Sequence, residues 1–130
     1  MKKLFSAVLI ICLLVSLAGC SAYRSHYKAV GFVHSNTPAS AFMNFYEFEG
    51  VNVFTLKSKS AGKQLKYSAK LETGSITVYY DCDGTKTELF TVGAGGQIDS
   101  SLELPSTGKI YIIVETDGKC KNGDFRFDIV

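Results

Sequence analysis

The side chains here best able to do covalent or metal chemistry are four cysteines, Cys12, Cys20, Cys82 and Cys120, and two histidines, His26 and His34. A zinc site takes three or four ligands, and two histidines alone do not make such a set. Asp81-Cys82-Asp83-Gly84 holds the D-x-D-G fragment of a calcium loop. The oxygen ligands and distal glutamate of a full loop do not follow, because Thr85, Lys86 and Thr87 stand there. The same four residues read as a hairpin turn. A Ser-His-Asp set can be drawn in any serine-rich chain, but no nucleophile-elbow pattern singles out a serine. The expectation is a non-enzyme with no metal and no cofactor, with a small hydrolase as the remote alternative.

Cys82 and Cys120 form an even pair, which in an exported domain suggests a disulfide. It would close a loop of about 39 residues and stabilise by roughly 4 kcal/mol on the chain-entropy argument. Strand parity opposes it. If each strand from Ser75 to Thr116 reverses direction, the two cysteines sit at opposite ends of the fold, too far apart to bridge. A crossover at Gly93–Gly96 would bring them back to one end. Cys82 also falls on a core-facing position, where a free cysteine packs as a small hydrophobe. Bridge and free thiols both remain open. No CxxC spacing suggests a redox-active pair.

Tyr79 and Tyr111 fall opposite the main apolar set of their strands, as Tyr46 does on its own. Aromatics across a sheet face can form a stacking platform for sugar rings or for a protein partner. The alternative is that their rings pack on neighbouring strands and leave only the hydroxyls wet.

The elements that must position these residues are strands. Gln64 to Glu72 alternates, with Leu65, Tyr67, Ala69 and Leu71 on one face and Lys66, Ser68, Lys70 and Glu72 on the other. Thr73-Gly74 turns into Ser75–Cys82, where Ile76, Val78, Tyr80 and Cys82 share a face. Phe45–Lys57 is apolar-rich, with a bulge or bend expected at Gly50. Lys86–Val92, a strand marked by Ile98, Leu102 and Leu104, and the alternating Phe125, Phe127 and Ile129 complete the set. Lys109–Thr116 is apolar on both faces and reads as a central strand. Lys28–His34 reads as a weak first strand. Thr37-Pro38 has the form of an N-cap with proline at N1, so a helical turn is expected there. Seven or eight short strands in one domain give an all-β fold, a single antiparallel β-sandwich of jelly-roll or Ig-like kind. A small closed barrel is the alternative.

The 14 Lys and Arg against 12 Asp and Glu include Lys2 and Lys3 at the start, so the chain beyond residue 19 balances at 12 and 12. That argues against a nucleic-acid partner and against electrostatic docking on anionic lipid.

Lys2 and Lys3 precede fourteen mostly apolar residues, Leu4–Leu17. That is too short for a membrane-spanning helix, which needs about 20, but it suits a secretory signal. It ends in Leu17-Ala18-Gly19-Cys20, which resembles a bacterial lipoprotein lipobox. The resemblance implies a diacylglyceryl group on the Cys20 sulfur and cleavage before Cys20. The expected organisation is a signal peptide at 1–19, a lipidated N-terminus and tether at 20–36, and the sandwich at 37–130. Two acyl chains would hold the protein at the membrane without a basic patch. Ser21 is not the aspartate that would signal retention at an inner membrane, so the bacterial cell membrane or an outer membrane both fit. A looser resemblance, to small exported bacterial β-sandwich lipoproteins, rests on Leu71-Glu-Thr-Gly-Ser-Ile-Thr-Val78, Asp81-Cys-Asp-Gly84, Gly108–Glu115, Gly118 and Gly123–Ile129. It implies a fold and no chemistry. The resulting expectation is a lipid-anchored binding or structural module for an envelope glycan or protein, the alternative being an accessory or inhibitor subunit of a membrane protein complex.

Overall fold

The computed structural model describes residues 23–60, 62–105 and 107–130; the signal segment and Cys20 lie outside them. Nine strands are present: β1 His26–Val30, β2 Val33–Asn36, β3 Ser40–Ser58, β4 Gln64–Thr73, β5 Ile76–Asp81, β6 Thr87–Val92, β7 Gly96–Glu103, β8 Gly108–Thr116 and β9 Cys120–Ile129. Among the described residues no helix is long and apolar enough to cross a membrane. The order β6-β5-β8-β3-β9-β4-β7 is antiparallel throughout, with β1 and β2 also on β3.

The 19-residue β3 makes two layers from one sheet. Phe127 belongs to β9 and pairs with Ala41, yet its ring lies 6.1 Å from that of Phe54. Thirteen extended residues span about 40 Å, so β3 must fold back on itself. The bend comes at Gly50, with φ +132°, where a side chain would run into the His26 carbonyl oxygen and the Tyr27 backbone. There β3 exchanges β9 (residues 40–48) for β8 (residues 51–58). Sheet I is β6-β5-β8 with the second half of β3. Sheet II is β1/β2, the first half of β3, β9, β4 and β7. Phe90 of sheet I stacks on Tyr67 and Phe125 of sheet II, 5.2 and 6.4 Å away, and the core of Phe48, Phe54, Leu56, Leu65, Ile112, Phe125 and Phe127 lies between the layers. Burying a side chain of this size contributes roughly 1.5–3 kcal/mol.

Both halves of the ribbon change inward parity at one level. The buried positions pass from Met43 and Phe45 to Phe48 on β3, and from Cys120 to Phe125 on β9. Between them Asn122 has φ +52° and Tyr46 is turned outward. The prediction of a helical turn at Thr37-Pro38 fails. Thr37 and Ser40 exchange backbone hydrogen bonds (2.7 and 3.4 Å), closing a tight β2–β3 hairpin, because strand pairing on both sides claims the donors a helix would use. The tether expected at 20–36 also proves shorter. Residues 26–30 and 33–36 are strand, and Tyr23 is already bound to the fold.

The free edge of β3's second half is closed by two side chains and one backbone carbonyl, not by a strand. Ser25 Oγ accepts from Val53 N (2.8 Å), Asn36 accepts from Thr55 N and donates to its carbonyl (2.9 and 2.8 Å), and the Pro38 carbonyl accepts from Lys57 N (2.7 Å). An unpaired edge is thereby denied to another chain.

Candidate functional site

Alternation and register put Tyr79 and Tyr111 on the outer face of sheet I as diagonal neighbours, since Tyr79 pairs with Ile113 and Asp81 with Tyr111. Neither ring is bare. Lys86 Nζ lies 4.4 Å over Tyr79 and 2.6 Å from Glu115 Oε1. Tyr23 meets Tyr111 edge-on at 5.3 Å, and Lys109 Nζ is 5.8 Å from the same ring. Both tyrosines are half-buried. Ile113, which points outward by parity, is 1% exposed between its cross-strand neighbours Val53 and Tyr79. This face is a small second core.

Asp81 organises its lower end. One carboxylate oxygen accepts from Gly84 N (2.7 Å) and Asp83 N (3.2 Å), and the other accepts from the Tyr23 hydroxyl at 2.7 Å. The D-x-D-G oxygens are thus spent on backbone donors and on Tyr23, as the turn reading expects. The phenol of Tyr23 is pushed up from 10.0 to about 12, first by its hydrogen bond to Asp81 and then by burial and the Asp81 charge. Among the described residues no three His, Cys, Asp or Glu side chains group to hold a metal.

Cys82 and Cys120 are separate thiols. Cys120 Sγ lies 3.5 Å from the Ser75 carbonyl oxygen, just before β5, and Cys82 lies just after it. Seven extended residues separate those ends by about 20 Å, so the possible disulfide is not formed. Cys120 fills a space that Gly74 keeps open: a Cβ there would sit 2.5 Å from its sulfur. Burial pushes both thiols up, which leaves them poor nucleophiles.

The outer face of sheet II is built differently. Its cross-strand rows run Phe42–Arg126–Ser68–Asp99, Asn44–Asp124–Lys70–Gln97 and Ser40–Asp128–Lys66–Ser101. Arg126 lies 5.6 Å over the Phe42 ring and 3.6 Å from Asp124. That Asp124 oxygen is shielded from solvent and accepts no hydrogen bond. Shallow depressions run along the face, lined by Ser68, Lys70, Gln97, Asp99, Asp124 and Arg126. Tyr46, at the end of the row, is 54% exposed. Alternation on β4 and β9 contained this face in full, but its polar residues looked like a solvated surface. What could have marked it is the outward aromatic pair Phe42 and Tyr46, whose parity only the β3 irregularity settles. His26 and His34 lie on β1 and β2, and His34 stacks on Phe32 at 4.7 Å, a packing role.

No protein-family model matches the chain, and no curated protein matches it in sequence. Among solved structures it is similar to TmCBM61 in complex with β-1,4-galactotriose, at 15% identity over 85% of this chain and 88% of that one, TM-score 0.47. It is also similar to Aeromonas hydrophila PliG, a periplasmic inhibitor of g-type lysozyme, at 15% identity over 72% and 88%, TM-score 0.46. A third is a single-residue mutant of CBM29-2, a family 29 carbohydrate binding module, at 15% identity over 82% and 85%, TM-score 0.39. Likenesses this distant say nothing of what this chain binds. The all-β sandwich stands on its own strands.

Proposed function

We propose that the chain is an exported lipoprotein, anchored through lipid on Cys20, whose sandwich is a non-enzymatic module binding an envelope glycan on the outer face of sheet II. The observation that supports this most is the pair of adjoining rows Phe42–Arg126 and Asn44–Asp124–Lys70. It sets an aromatic ring beside donors and acceptors along a shallow, open face. Sugars offer apolar ring faces and a rim of hydroxyls, which such a mixture matches. Arg126 and Asp124 keep 63% and 42% of their side chains exposed, within reach of such hydroxyls.

The test is retention of the detergent-extracted full chain on insoluble cell-wall glycan. Phe42→Ala with Asn44→Ala should lower affinity by roughly tenfold, as expected for about 1.4 kcal/mol of lost contact. Tyr79→Ala should leave it unchanged. Equal retention of all three proteins would sink the assignment of the face.

A second reading, an accessory or inhibitor subunit, is favoured by Val30 and Val33. They are 55% and 58% exposed on β1 and β2, beside Tyr46 on the adjoining strand. Among the described residues β1 and β2 pair only with β3, so their other edge is open to a partner strand. Loss of a co-purifying envelope protein in Val30→Lys, with glycan retention intact, would favour it.

A further inference from the structure

We propose that the sandwich is not carried on a loose tether but sits against an anionic phospholipid bilayer by the Lys57–Lys109 end of sheet I, leaving sheet II turned away from the membrane. This rests on the reading of Cys20 as the lipid site. Tyr23 is fixed at both ends of its side chain, by its hydroxyl on Asp81 (2.7 Å) and its ring on Tyr111 (5.3 Å). Ser25 is fixed on Val53 N and Asn52 Oδ1. Only three Cα steps then separate Cys20 from a pinned residue, at most about 11 Å of chain. A lipid attached there leaves the domain almost no room to stand off.

The direction is set as well. β1 runs antiparallel to β3 from His26, opposite Val51, so residues before His26 lie further toward Lys57. Asn36 occupies the strand edge at Thr55, and Tyr23 accordingly lies over the outer face, at the Tyr111–Asp81 level. The next pair on that face is Lys57 opposite Lys109, one same-face step or about 7 Å along. Like charges directly opposite each other destabilise a sheet. Neither lysine has a carboxylate within ion-pair distance among the described residues. Lys59 and Lys63 are exposed in the adjoining β3–β4 turn. The bend at the other end of the sandwich exposes Glu49, Glu72 and Asp117 beside Lys28 and Lys119. The lysine end carries exposed carboxylates as well, Asp83 and Glu103. Lysines attract anionic headgroups, and tyrosines favour the headgroup level. A covalent lipid makes even a weak contact persistent, through effective concentration.

The full lipidated chain should be reconstituted in vesicles of phosphatidylcholine with phosphatidylglycerol, and its lysines acylated by a water-soluble reagent and read by mass spectrometry. Lys57, Lys59 and Lys109 are expected to react far more slowly than Lys66 and Lys70 of sheet II. Protection should fall about fivefold for each lysine removed by Lys57→Gln or Lys109→Gln, the factor matching roughly 1 kcal/mol per basic residue at an anionic surface. It should also weaken in salt. Equal labelling of all five lysines on a chain that floats with the vesicles overturns the docking and leaves the anchor standing. A chain that does not float, with no lipid mass on Cys20, overturns both.

Discussion

The outer faces of the two sheets share a strand, β3, and both are laid out by alternation, yet they are made for different work. On sheet I the outward residues close on one another. Tyr23 lies on Tyr111, Lys86 on Tyr79, and Ile113 is buried beneath them. On sheet II the outward residues also touch, with Arg126 over Phe42 and beside Asp124, but Arg126 and Asp124 keep large exposed fractions, 63% and 42% of their side chains. The difference follows from the N-terminal segment. Its β1 and β2 join sheet II, while Tyr23 before them lies on sheet I, where this covering aromatic residue turns a surface into a small core. Period-two alternation marks which residues face outward, and a residue remote in sequence decides whether outward means exposed.

The strongest way to break this contrast is to remove what sheet I hides. Ile113→Ala should cost about 2–4 kcal/mol, as for a fully buried isoleucine. Ser68→Ala, at an outward position of sheet II, should stay within about 0.5 kcal/mol. Urea unfolding of both variants measures this, and similar midpoints would mean that sheet I has no outer core.

Next in size is the residue that makes the difference. Tyr23→Phe removes the hydroxyl from Asp81 and should cost about 1 kcal/mol. The pH dependence carries the more specific signature. The folded state holds the phenol proton more tightly than the unfolded chain, since its pKa rises from 10.0 to about 12. Its contribution is therefore fully present below pH 10 and is lost as pH climbs through about 12. The stability gap between the natural chain and Tyr23→Phe should narrow over that window. An absorbance titration should also lose its highest-titrating phenol in the variant. A gap unchanged up to pH 12 would mean that Tyr23 is not held by Asp81.

Much of this arrangement was legible in the residues. The alternation of Leu65–Leu71, the two-faced apolar run of Ile110–Val114, the turn at Asp81–Gly84 and the bend at Gly50 all rest on local period and turn chemistry, and all are where the chain's pattern puts them. Strand parity spoke against joining Cys82 to Cys120 but left the bridge open, because a crossover at Gly93–Gly96 would have undone it. What was not legible depends on contacts distant in sequence. Thr37-Pro38 carries a genuine helix-start pattern that β2–β3 pairing overrides. Residues 23–36 resemble a tether until Asp81, 58 positions away from Tyr23, supplies a partner. The site on sheet II was hidden for another reason: alternation contained it, but its polar residues read as a solvated surface, and the shift of β3 and β9 at Tyr46 and Asn122 is set by contacts distant in sequence.

A smaller effect tests whether the thiols tell the two ends of β5 apart. In denaturant, Cys82 and Cys120 should both react with a thiol reagent without prior reduction. In the native state Cys120, buried beneath Gly74, should react more slowly than half-buried Cys82. Cys120→Ser should slow nothing further at Cys82, since about 20 Å of strand separates them. A molecule needing reductant before either thiol reacts would contradict the placement of β5.

The smallest expected effect is at Lys86, and it refines the contrast. Its 2.6 Å contact with Glu115 is short, but both side chains are about one-third exposed, and exposed ion pairs contribute about 0–1 kcal/mol. The same ammonium lies over Tyr79, a contact of about 0.5–1 kcal/mol at an exposed site. Lys86→Gln removes both charges' attraction while keeping most of the aliphatic stem over the ring. The loss should thus be under about 1 kcal/mol in low salt and should shrink as salt screens the pair. Lys86→Ala removes the stem too and should cost more than Lys86→Gln by an amount salt does not change. If the two variants are equal, Lys86 is only a surface charge, and Tyr79 is as open as the aromatics of sheet II. If Ala is the worse of the two at every salt concentration, the lysine is part of the cover that makes sheet I a core.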